Sequence, residues 1–140
     1  MGYNDFYIFL SSRDSNKSHP DNVLQDFQVE LPERLLLEGD WEIALIDFYH
    51  NGNIAETIVV NCDLCDYSYI HNGYDQILRI IYPQSNKYIY FPIKLYQRIK
   101  VNNFQKIHIY IKDSNQLFPT LDGDEIKLTL HFRKIYQSVI

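Results

Sequence analysis

The sequence predicts an all-β fold: a two-sheet antiparallel sandwich, and within that class a single jelly roll of eight or so strands, with residues 1–140 as one domain. Three observations predict it. In Glu125–Arg133, Ile126, Leu128, Leu130 and Phe132 alternate with Lys127, Thr129, His131 and Arg133, so one face of a strand is buried and the other wetted. The same period of two recurs along the chain. Finally, Gly, Asn, Asp and Pro turns punctuate short apolar runs, while Ala is scarce and Ile abundant.

Asp5–Leu10 is the first expected strand, with Phe6, Ile8 and Leu10 on one face and Tyr7 and Phe9 on the other. The polar stretch Ser11–Asn22 is long for a hairpin and must cross a sheet edge or carry a contact. Asp26–Leu31 turns Phe27, Val29 and Leu31 inward, and Pro32 is expected to close it, since proline cannot donate to a ladder. Trp41–Phe48 is apolar on both sides and reads as a central strand, with Trp41, Ile43, Leu45 and Asp47 on one face and Ala44, Ile46 and Phe48 on the other. Asn51-Gly52 and Asn72-Gly73 mark turns around Thr57–Asn61 and before Gln76–Tyr82. Lys87–Phe91 and Lys94–Arg98 flank Pro92, Lys106–Lys112 alternates cleanly, and Asp122-Gly123 turns the chain into the last strand.

Hydrophobic residues make up 46% of the chain, enough for a core without staples, and the aromatic share leans to 12 Tyr, suited to half-buried faces and contact surfaces. No run of about 18 apolar residues suggests a membrane helix, and no membrane insertion is expected. The first residues lack the pattern of a secretory signal, so export by that route is not expected; Met1-Gly2 lacks the hydroxyl residue that myristoylation wants at position 6.

The net charge is −5. Residues 1–66 hold 13 acidic and 3 basic residues, whereas residues 67–140 hold 5 acidic and 10 basic. Either this split supports head-to-tail association, or the halves interleave in the sheets and it averages out. An acidic chain is a poor binder of duplex nucleic acid. Lys94, Arg98, Lys100, Lys106 and Lys112, interleaved with Tyr96, Phe104 and Tyr110, have the look of a single-strand platform, although alternation alone produces it.

Cys62-Asp-Leu-Cys65 is the motif with most chemical capacity. Two cysteines at that spacing supply half of a zinc site, and His50 and His71 could complete it, but the spacing matches no zinc module and the pair lies between strands rather than at a helix start. Two ordinary thiols are the simpler reading. His19, His108 and His131 are scattered, the latter two on the more polar strand faces. Asp63/Asp66 and Asp122/Asp124 fit turn chemistry, and the five glycines stand in five different loops, so no phosphate cradle forms. No nucleophile elbow is present. Neither an enzyme nor a cofactor is expected.

Several segments, in order, carry a family likeness: Phe6-Tyr-Ile-Phe-Leu-Ser-Ser12, Pro20-Asp-Asn22, Phe27-Gln-Val-Glu-Leu-Pro32, Leu37-Glu-Gly-Asp-Trp-Glu-Ile-Ala-Leu45, Cys62-Asp-Leu64, Lys106-Ile-His-Ile-Tyr-Ile111 and Gly123–Arg133. This order resembles virion-type proteins of Polinton (Maverick) elements and the related adintoviruses of animals. The resemblance implies a capsid-associated jelly roll, of the minor-capsid or penton type, found in the virion after synthesis in the host cytoplasm or nucleus. Its implied partners are further copies of itself, as a pentamer or trimer, and other capsid proteins. Many members are longer, so the chain fits a short member, a separate domain or a domesticated host copy. Outward tyrosines would anchor such contacts, with Tyr7, Tyr88, Tyr90, Tyr96 and Tyr110 as candidates. The rival reading is a binding module that attaches to a glycan, receptor or partner protein through Ser11–Asn22 and Asp113–Asp122.

Overall fold

The computed structural model describes residues 4–14, 23–70, 73–115, 117, 119, 121 and 123–136. Among them are strands β1 (Asp5–Ser11), β2 (Asp26–Leu36), β3 (Trp41–His50), β4 (Ile58–Cys62), β5 (Ser68–Ile70), β6 (Gly73–Asp75), β7 (Ile77–Ile81), β8 (Tyr88–Tyr90), β9 (Gln97–Arg98), β10 (Asn103–Asp113) and β11 (Ile126–Lys134), and no helix. The first sheet runs β1-β11-β3-β8, with β9 also paired to β3. The second runs β2-β10-β4-β7, and β5 and β6 form a separate ribbon. Every pairing is antiparallel.

The pairings nest: β1 with β11, β2 with β10, β3 with β8, β4 with β7. A long hairpin wrapped on itself has this order, which is the one expected of a single jelly roll. Nesting also settles the fate of the charge split. In both sheets, strands from the acidic front half alternate with strands from the basic back half, so the two halves interleave within each sheet.

The core lies between the sheets. Phe27, Ile107, Ile109, Ile111, Ile58 and Val60 of the second sheet are fully buried with Ile43, Leu45, Leu130 and Phe132 of the first. Each such side chain contributes roughly 1.5–3 kcal/mol. One end is aromatic: Phe6 stacks on Phe132 at 4.8 Å and tilts against Trp41 at 5.6 Å. The Trp41 indole donates to the Glu38 carbonyl at 2.9 Å, so its one polar atom is satisfied.

Four features correct the sequence reading. β2 does not stop at Pro32 but continues to Leu36. It is an edge strand, and its register with β10 jumps between Phe104 and Lys106, so the missing proline N–H falls in an unpaired stretch. Gln105 bridges the gap by donating to the Leu31 carbonyl.

β3 carries a bulge. Leu45 opposes Leu130 and Asp47 opposes Thr129, which leaves Ile46 without a partner on β11. The extra residue flips the phase, so Phe48 and His50 join Trp41, Ile43 and Leu45 on the core side, whereas Asp47 and Tyr49 face outward. An unbulged strand would bury the Asp47 carboxylate, which is costly without a partner.

The outer face of β11 is also drier than expected. Thr129 is 8% exposed and His131 9%. Residues 94–98 are not the strand expected there: only Gln97 and Arg98 pair with β3, and Tyr96 folds over the sheet to reach His131.

The β11 turn depends on glycine. Gly123 has φ +99°, and a Cβ there would lie 2.5 Å from Asn51 Oδ1 and 2.8 Å from the Gly52 nitrogen. Asn51 Oδ1 accepts from the backbone N–H of Asp124 and Glu125, tying the two turns together.

Candidate functional site

Cys62 and Cys65 end β4 in a tight turn, the Cys65 N–H donating to the Cys62 carbonyl at 3.0 Å. Both thiols are free and fully buried, and the hydrogen bond to Cys65, followed by burial, pushes the Cys62 thiol well above its usual range. Such a thiol is a poor nucleophile. His50 stands on the other sheet, at the end of β3, with its ring on the Asn86 carbonyl at 3.0 Å. His71 lies outside the described residues, as does His19. Among the described residues no three of His, Cys, Asp and Glu gather as a metal cage.

The tyrosines divide into two groups. Tyr7, Tyr88 and Tyr90 are more than half exposed. Tyr96 and Tyr110 are partly buried and spend their hydroxyls on internal partners. Tyr96 Oη meets His131 Nδ1 at 2.8 Å, and His131 Nε2 meets Asp5 at 3.0 Å. The Tyr7 ring stacks on the same imidazole at 4.5 Å, and Arg133 lies over Tyr96 at 3.5 Å.

Tyr110 donates to Asp75 at 2.8 Å, and Lys112 pairs with the same carboxylate at 3.0 Å. Burial, followed by the Asp75 bond, raises the Tyr110 hydroxyl far above its ordinary range. Gln76 donates to the carbonyls of Asp63 and Cys65. This network pins the crossing from β4 to β7 onto the second sheet. The basic-aromatic series is divided as well: Phe104 is buried, Lys112 is paired, and Lys94 and Lys100 cover Tyr90 and Tyr67.

The open site is on the outer face of the first sheet. Two rows of residues cross it by strand register: Phe9, Thr129, Asp47, Tyr90, and Ser11, Lys127, Tyr49, Tyr88. Short side chains occupy the middle of the first row and aromatics its ends, and that profile makes a groove. Its volume is about 440 Å³, with Phe9 and Tyr88 on opposite sides and Asp47, Lys127 and Thr129 between. The strands bearing Phe9 and Tyr88 are three spacings apart, roughly 14 Å.

Tyr88 Oη donates to Asp47 Oδ2 at 2.9 Å, which holds the carboxylate in place and raises the Tyr88 hydroxyl pKa. Lys127 is 3.7 Å from Glu125 and 5.7 Å from the Tyr49 ring. Phe9, 75% exposed, is the most exposed large apolar residue described, yet only the tyrosines drew attention in the sequence. The available signal was its phase in β1, which puts it on the outward side with Tyr7. Asp47 was hidden by the bulge.

A scan of protein-family models finds none that matches this chain, and no curated protein matches it either.

Proposed function

We propose that this protein is a structural subunit of a virus-like shell, of the minor-capsid or penton type, that works by self-association and by contact with other capsid proteins in the virion. The observation that carries the reading is how the chain deploys its tyrosines. Among the described residues, eight tyrosines (Tyr7, Tyr67, Tyr69, Tyr74, Tyr82, Tyr88, Tyr90 and Tyr136) are more than half exposed on the two-layer scaffold. Large exposed aromatics are what contact surfaces are made of, because each buries much area at little entropic cost. The nested strand order and the segments resembling Polinton and adintovirus virion proteins support the same reading.

The exposed aromatics are spread over several faces. Tyr69 and Tyr74 pair edge-to-face on the β5–β6 ribbon at 5.9 Å, whereas Tyr90 and Ile93 lie on and just after β8. A ring needs two different complementary patches per subunit, and separate aromatic faces supply that requirement better than one.

Light scattering across a concentration series tests the reading. A closed pentamer is the expected result, and a trimer would move the protein to a major-capsid or fibre role. A monomer at all concentrations, with no capsid partner captured, would overturn it.

A further inference from the structure

The groove on the first sheet has a chemistry that self-association does not require. We propose that it binds a neutral saccharide.

The first argument is charge. Asp47 and Asp14 bring carboxylates to the groove and Lys127 brings an ammonium. A strongly anionic ligand meets the two acids, and a strongly cationic one meets the lysine. A neutral polyol meets neither penalty. Its hydroxyls donate to Asp47, accept from Lys127, and do both with Thr129.

The second argument is shape. A pyranose has apolar C–H faces as well as a polar rim, and aromatic rings pack against those faces while side chains bond to the rim. Phe9 and Tyr88 stand on opposite sides of a largely apolar groove whose few polar groups include Asp47, Lys127 and Thr129, which offers both kinds of contact at once. The volume, about 440 Å³, is within the range of small-ligand sites. The Asp47 carboxylate is already held by Tyr88, so less order has to be imposed on binding.

The site is chiefly the face of the sheet, with Ser11 and Asp14 from the start of the Ser11–Asn22 stretch at its margin. It shares Tyr88 with the tyrosines of the assembly reading, whereas Tyr69, Tyr74 and Ile93 lie outside the groove.

The test uses the whole chain on an array of neutral, sialylated and sulfated glycans, followed by titration of the best neutral glycan with amide chemical shifts as readout. The expected result is neutral glycans bound and shifts at Phe9, Asp47, Tyr88 and Thr129. Phe9→Ala and Asp47→Asn should each weaken binding at least tenfold, with Tyr69→Ala unchanged. Phe9 is 75% exposed, so its truncation leaves the core intact, and the same spectra verify the fold. Binding to acidic glycans only, shifts confined to other surfaces, affinity indifferent to both groove variants, or no glycan bound would each overturn the proposal. The oligomer mass, measured in parallel, decides the assembly reading separately.

Discussion

Asp5 and His131 are 126 residues apart in the chain and 3.0 Å apart in the fold. With Tyr96 on the other ring nitrogen, the imidazole joins the first strand, the last strand and the segment after β8 at one point. His131→Ala leaves the Tyr96 hydroxyl and Asp5 without that partner and is expected to cost about 1–3 kcal/mol. Tyr96→Phe, which removes only the hydroxyl, should cost about 1 kcal/mol. Urea midpoints measure both, and an unchanged His131→Ala would show that the three elements hold together without the ring.

The terminal strand makes a two-sided prediction. Leu130 is fully buried, so Leu130→Asp places an unpaired charge in the core and should abolish the cooperative unfolding transition. Lys127, on the opposite face, has a 58% exposed side chain, and Lys127→Glu should change stability by no more than about 0.5 kcal/mol. Circular dichroism of the two variants separates these outcomes.

Gly123→Ala should be one of the most damaging single-methyl changes in the protein. It combines a left-handed backbone with a Cβ 2.5 Å from Asn51 Oδ1. More than about 1 kcal/mol should be lost, compared with a few tenths for Gly73→Ala, where nothing lies within 4 Å and no positive φ is required. Equal thermal midpoints for the two variants would refute the clash.

Asp63 gives the fold a pH dependence of known sign. Burial raises its carboxyl above the ordinary value, against the lowering effect of the His108 N–H bonded to it at 2.9 Å. A folded pKa above the unfolded one means that its stabilising contribution is complete below the unfolded value, about 3.9, and is lost as pH rises through the folded value. Asp63→Asn keeps an acceptor for His108 and never ionises. It should be more stable than wild type at pH 7, and the advantage should disappear near pH 3. Urea titrations at the two pH values measure the difference.

The thiols provide a kinetic check. Cys62 and Cys65 are fully buried, so a disulfide-exchange reagent should label neither in the native protein and both in denaturant. Rapid labelling of the native state would mean that the turn after β4 opens readily.

Much of the core was readable because alternation is a local property. Phe27 and Val29, or Ile107, Ile109 and Ile111, declare their faces with no knowledge of their neighbours. The bulge at Ile46 left no such trace, since Ala44, Ile46 and Phe48 read as one continuous apolar face and only the register with β11 shows the inserted residue. The groove left a faint one. Phe9 could be turned outward from its own strand, but Thr129, Asp47 and Tyr90 join its row only through register with other strands.

The sequence by itself determined an antiparallel β-sandwich, where most of its strands lie and which side chains they bury, because a two-residue period and turn chemistry act within a few residues. Tertiary structure alone decided that β1 lies beside β11, that Tyr96 covers His131, that the charged halves interleave, and that Phe9 and Tyr88 face each other across Asp47. Those outcomes depend on which distant segments become neighbours. That choice is made by closing one core between two sheets, and no single strand encodes it.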